Sequence, residues 1–284
     1  MPTAAVIGAG SLGGALAHTL AARERFRLIR LIDPADDVAS GKALDIQQSG
    51  PVLGFSTKLV GARHVRDAIG ADVIILADAA RAAGPALDGE HALALIRSLV
   101  AHTHHTPIVC ADATHAPLVE RATVELNLST ACVIGSAPTA LAAAVRAVVA
   151  LELDVSPTDI ALSIIGRPPD RLFVPWSQAT IAGTPIEARL SAPRLLSVGE
   201  RLRHLWPPGP YALASAAARV VEAVTLGSRR TYSCVVMMSG AYGVRDRAGA
   251  LAVQLGPAGR VRIASLALTQ QECVKLGNAF ERDR

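Results

Sequence analysis

Gly8-Ala9-Gly10-Ser11-Leu12-Gly13 is a GxGxxG run that directly follows the apolar stretch Thr3 to Ile7 and opens an apolar, helix-periodic segment. Each glycine has a physical task in such a loop. Gly8 permits a tight turn, Gly10 lets a pyrophosphate come close to the backbone, and Gly13 lets helix and strand pack together. The helix start behind them offers unpaired N–H groups and positive potential to phosphates. Twenty residues after Gly13, closing the run Leu31-Ile32-Asp33, stands a carboxylate placed to accept from ribose hydroxyls. A negative charge there repels a 2′-phosphate, which favours NAD over NADP. Gly8, Gly10, Ser11, Leu12, Gly13 and Asp33 are therefore the expected cofactor-binding residues. The competing explanation is a glycine turn with a surface aspartate that binds nothing.

A second constellation follows the fifth expected strand, where His115 stands three residues after Asp112. An Asp–His pair at the carboxyl edge of a parallel sheet is placed for acid/base work, with Arg81 or Arg167 holding an anion. The alternative is a solvated loop histidine. His102, His104 and His105 gather at a helix end, where capping of the helix dipole competes with metal binding. The four cysteines, Cys110, Cys132, Cys234 and Cys273, share no metal-ligand spacing, and no metal is expected. They read as buried, reduced thiols, which fits a reducing compartment.

Short apolar runs alternate with helical patterns through the first half of the chain. Strands are expected over 3–7, 27–32, 57–61, 72–77, 107–111 and 131–134, with helices over 12–22, 38–48, 89–101 and 116–126. That alternation predicts parallel strands with helical crossovers on both faces, an α/β Rossmann fold with a doubly wound sheet. After Ala137 the rhythm changes. A long helix over 139–151 leads to a run over 159–165 and a Pro-rich turn at Pro168-Pro169. A helix over 212–226, strands around 232–238 and 250–255, and a closing helix over 270–280 follow. Gly256-Pro257-Ala258-Gly259 marks a hairpin. The expected division is a dinucleotide-binding domain over 1–136 and an α+β substrate-type domain over 137–284.

Half of the residues are apolar and 3% aromatic, so a large core must be built from Ala, Val, Leu and Ile. The net charge of +4 comes from scattered residues rather than a stripe, which argues against a nucleic-acid partner. The first twenty residues are apolar but lack a basic segment ahead of them, and Arg146 and Glu152 break the longest apolar stretch. Neither a signal peptide nor a membrane span is expected, and a cytoplasmic location is.

Several segments in order resemble the malate/lactate dehydrogenase family. They are the glycine loop, Leu31-Ile32-Asp33, Gly41-Lys42-Ala43-Leu44-Asp45-Ile46, Val133-Ile134-Gly135, Val174-Pro175-Trp176-Ser177, Gly183-Thr184-Pro185, Tyr211-Ala212-Leu213-Ala214, Gly240-Ala241-Tyr242-Gly243 and Leu268-Thr269-Gln270-Gln271-Glu272. The resemblance implies a C-terminal α+β domain of that family's type, NAD as cofactor and a homo-oligomer, either dimer or tetramer. It also implies a histidine that exchanges a proton with the substrate, an aspartate that orients it, and two arginines on the substrate.

The chain departs from the family at each of those roles. Where the family has Gly-x-His-Gly-Asp it has Gly166-Arg167-Pro168-Pro169-Asp170. Leu141 and Ala144 stand at the orienting aspartate and carboxylate-binding arginine, and Arg146 lies two residues on, facing away. In the mobile loop Arg81 is kept as the substrate-binding candidate, while Leu87 replaces the second arginine; Asp112 stands where the family has asparagine. Asp78 replaces the glycine that ends the fourth strand, adding bulk and charge near the expected diphosphate and weakening NAD binding. No ordinary catalytic residue is identified, His115 and Asp112 being weak substitutes. Three functions follow: a catalytically degenerate pseudoenzyme that binds NAD, an active NAD-dependent oxidoreductase with a rearranged site and unidentified substrate, or a non-catalytic scaffold subunit.

Overall fold

The computed structural model describes residues 1–80, 89–103, 106–257 and 259–281. The N-terminal elements are β1 (Thr3–Ile7), α1 (Ser11–Ala22), β2 (Leu28–Ile32), α2 (Asp36–Leu53), β3 (Lys58–Ala62) and β4 (Val73–Leu76). They continue as α3 (Gly89–Val100), β5 (Ile108–Cys110), α4 (Ala116–Glu125) and β6 (Val133–Gly135). The six strands are parallel in the order β3-β2-β1-β4-β5-β6, the doubly wound arrangement expected from the alternation.

Successive residues of these strands face two different cores. Ala4 and Val6 of β1 face a core shared with α1 and α2, through Leu12, Leu16, Leu20 and Ala43. Ala5 and Ile7 face the opposite core, filled by Leu93, Ile96, Leu118 and Val119 of α3 and α4. Both faces are covered, so β4, β5 and β6 read as unbroken apolar runs.

The second half contributes α5 (Ala137–Leu153), β7 (Ile160–Ala161), β8 (Ile165–Arg167), β9 (Arg171–Phe173), β10 (Thr180–Ile181), β11 (Thr184–Pro185) and α6 (Ala192–Arg201). It ends with α7 (Pro210–Leu226), β12 (Thr231–Ser239), β13 (Arg245–Gly256), β14 (Gly259–Ile263) and α8 (Gln270–Phe280). β12 lies antiparallel to β6 through Val235 and Gly135, and β13, β8 and β9 extend the same sheet, with β14 on β13. Among the described residues, eleven strands thus form one sheet through both halves. The two halves also meet on one face, where α7 packs with α1 and the Arg23 guanidinium forks onto the Glu222 carboxylate.

Three local expectations are corrected. The run 159–165 is split: β7 joins a small sheet with β10 and β11, whereas β8 joins the large one. Helix α6 went unforeseen: Pro193 stands in its first turn, where proline is tolerated, and only Leu195 and Val198 of the helix are buried, too few to show a period. Among the cysteines, Cys110 and Cys234 are buried, and burial raises both thiols to about 12. Cys132 is half-buried, and Cys273 is exposed because it lies on the outer face of α8. No described helix is long and apolar enough to cross a membrane.

Thr269 and Glu272 close the start of α8 with reciprocal bonds, and the Glu272 carboxylate also accepts from the Ser177 hydroxyl at 2.6 Å. Burial raises the Glu272 pKa, but the bonds from Ser177 and Thr269 outweigh it and hold the group below its ordinary value. A carboxyl lowered in the folded state adds stability that is complete above its unfolded pKa, near 4.3, and is lost as pH falls through the folded value. Glu272→Gln should therefore cost up to about 1 kcal/mol near neutral pH and nothing at the acid end. Urea unfolding across a pH series reads this out, and an unchanged acid slope would count against the pairing.

Candidate functional site

The glycine loop is shaped by close backbone contacts. Gly8 leaves β1 with φ +102°, a left-handed conformation that glycine adopts without strain, and its N–H donates to the Ile32 carbonyl at 2.7 Å. A Cβ on Gly13 would overlap the Gly8 carbonyl, so α1 can approach β1 this closely only with glycine there. The Lys42 Nζ donates to the Ala9 and Gly10 carbonyls, both at 2.7 Å, tying α2 to the loop. That lysine was visible in the sequence only as part of a family segment, with nothing local to assign it this contact.

Asp33 is fully buried at the end of β2. Its carboxylate accepts from the N–H groups of Ala9 (2.8 Å), Ala80 (2.9 Å) and Ala35 (2.9 Å). These bonds compensate a buried charge and join three separate turns. A sugar hydroxyl can reach this carboxylate only if the backbone covering it moves.

Asp78, at the exit of β4, lies against the same loop. Its Oδ1 accepts from the Gly13 N–H at 2.8 Å, and its Oδ2 from the Leu12 N–H at 3.2 Å and the Ser11 hydroxyl at 3.1 Å. Its carbonyl accepts from the Gly10 N–H at 2.8 Å. The carboxylate fills the space that the missing Cβ of Gly10 leaves open, since a Cβ there would overlap it. Two of the helix-start N–H groups are therefore spent on a side chain of the chain itself. In this conformation the loop does not fit a diphosphate: the donors are taken, and a negative charge stands where one would dock.

Elsewhere the expected chemistry is dispersed. His115 is buried and its N–H donates to the Asp112 carbonyl, whereas the Asp112 carboxylate turns to the N–H and hydroxyl of Thr114, both at 2.8 Å. The structure thus uses Asp112 to start a helical turn. Arg81 and Leu87 lie outside the described residues, as do His104 and His105. Pro168 and Pro169 form the tip between β8 and β9. Leu141 is fully buried in the core of α5, α6 and β7, among Ile160, Ile164 and Val174. Arg146 is largely buried and lines a cavity of about 640 Å³ together with Arg25, Arg219 and Arg230; its Nε has no hydrogen-bond partner among the described residues, and burial lowers its pKa. A larger cavity, about 1420 Å³, opens between the β8–β9 tip, α6 and α8. Neither cavity is lined by the glycine loop. Among the described residues no group of three or more His, Cys, Asp or Glu could hold a metal ion.

Removing the buried carboxylate by Asp33→Ala strands three N–H groups and should lower unfolding free energy by about 3 kcal/mol or more. Urea denaturation measures it, and a loss under about 1 kcal/mol would show that water replaces the strap.

Comparison with known proteins gives a consistent picture. The chain is 32% identical over 283 residues to the malate dehydrogenase of Thermomicrobium roseum, covering 94% of this chain and 91% of that one. It is 31% identical to the malate dehydrogenase of Desulforudis audaxviator, with the same coverage. Among solved structures, the malate dehydrogenase of Salinibacter ruber superposes with a TM-score of 0.80 at 24% identity, covering 98% of this chain and 93% of that one. A lactate dehydrogenase of Cryptosporidium parvum, solved with lactic acid and NAD, superposes with a TM-score of 0.85 at 22% identity, covering 98% and 94%. No family model matches the chain.

Proposed function

The chain belongs to the malate/lactate dehydrogenase family, and from that premise we propose that it is a member which has given up the dehydrogenation of malate and lactate. The observation that carries this reading is the joint replacement of the proton-handling pair and of the carboxylate-binding arginine, Arg81 alone being kept of the set. Pro168 has no titratable atom at the position of the family's histidine. Leu141, at the position of the orienting aspartate, is sealed in an apolar core where a lone carboxylate would be costly. Ala144 offers no fork to a substrate carboxylate, and Asp112, in the asparagine position, is engaged with Thr114. A general acid/base alone contributes about 10²–10⁴ in rate, and its partners act with it as a unit.

NAD is the dinucleotide that this frame implies, because a carboxylate ends β2; its affinity is lowered by Asp78 at the helix start. The protein assembles with copies of itself, a reading supported by exposed apolar side chains along α2, Leu44 and Val52 among them.

Nicotinamide absorbance followed with NADH and a panel of 2-oxo acids, and with NAD and the matching 2-hydroxy acids, tests the reading. The expected kcat/KM lies at least about 10⁴-fold below that of a relative carrying the full histidine, aspartate and arginine set. Turnover within tenfold of such a relative on any of these acids would establish the rearranged-site oxidoreductase instead.

A further inference from the structure

We propose that Asp78 is a resident anion that occupies the place of the dinucleotide's diphosphate, so that the loop is held by the chain's own carboxylate and phosphate-bearing ligands as a class must compete with it. The inference deepens the reading that Asp78 lowers cofactor affinity, and it is independent of the lost catalytic groups. Simple repulsion from a nearby charge would leave the helix-start donors free and the approach open. Here the carboxylate is seated: Oδ1 on the Gly13 N–H, Oδ2 on the Leu12 N–H and the Ser11 hydroxyl, in the space that Gly10 keeps clear. A ligand phosphate would need those same donors and that same space.

The surroundings hold Asp78 in that seat from both sides. Before Asp78, the Ala77 N–H donates to the Ile7 carbonyl; after it, the Asp78 carbonyl takes the Gly10 N–H, and the Ala80 N–H is fixed on buried Asp33. The loop cannot withdraw, because Lys42 grips the Ala9 and Gly10 carbonyls from α2. An incoming diphosphate must therefore break at least three contacts of Asp78 and leave its charge facing the ligand's own within a few ångströms. Asp78 is in this sense a specificity-determining residue. It lowers the affinity of the loop for dinucleotides and for free pyrophosphate alike, whatever the rest of the ligand.

The test compares the intact protein with Asp78→Gly and Asp78→Asn, using isothermal titration with NADH and thermal melting with inorganic pyrophosphate. Asp78→Gly should bind NADH about a hundredfold or more tightly than the parent. In buffer it should melt below the parent, having lost the carboxylate on its helix start, and added pyrophosphate should close that gap while leaving the parent unmoved. Asp78→Asn keeps the size and removes the charge, so its affinity should fall between the two; it also serves if the glycine variant fails to fold. The proposal is overturned if pyrophosphate raises the parent's melting temperature as much as the variants', or if neither folded variant binds NADH better than the parent. Turnover is scored separately: reduction of 2-oxo acids by Asp78→Gly would remove the inactive reading above while leaving the assignment of Asp78 intact.

Discussion

A single buried carboxylate determines the geometry of the cofactor end of this molecule. Asp33 holds the N–H groups of Ala9, Ala35 and Ala80, which belong to the exits of β1, β2 and β4 respectively. No apolar side chain could do this, because each of those N–H groups would then be buried without a partner. An aspartate is short enough to stay at the strand end and charged enough to offset its own desolvation with three donors. By pinning Ala80, it also decides where the preceding two residues run, and so delivers Asp78 onto the start of α1. The family's ribose-binding position and its diphosphate-binding position are in this way coupled through three residues of backbone.

Much of the fold was legible in the sequence because the signal is periodic. Six apolar runs separated by helical patterns admit few arrangements other than a parallel sheet, and β1 and α8 fall within their expected bounds. The second half was less legible for a physical reason. Strands of two or three residues, such as β7, β10 and β11, are too short to show alternation, and their partners lie far along the chain. The junction of the large sheet was likewise hidden, since β6 meets β12 through one residue pair. Burial of Cys110 and Cys234 follows from their strands, whereas Cys273 sits on a helix whose outward face only the packing of Leu276 and Phe280 defines.

The site was legible in its parts and not in its connections. The glycine loop and Asp33 announce themselves by spacing, and Asp78 stands out as a charge where small residues belong. Spacing cannot say that Asp78 turns inward onto Leu12 and Gly13, because that depends on the Ala80–Asp33 bond 47 residues away in sequence. Nor can it say that Asp112 spends its carboxylate on Thr114, which needs the local turn to be known. What a side chain is free to do is set by what already claims it.

The contact between Gly8 and Gly13 has a consequence for how such loops drift. A side chain on Gly13 would force α1 away from the Gly8 carbonyl, and one on Gly8 would strike the Asp78 backbone, so both glycines are required by packing whether or not anything ever enters the loop. A lineage can therefore shed its ligand and still display the full glycine signature, enforced by sterics instead of by use. Counting cofactor users by that signature reads packing as well as use, and the carboxylate that alters this loop stands beyond the end of β4.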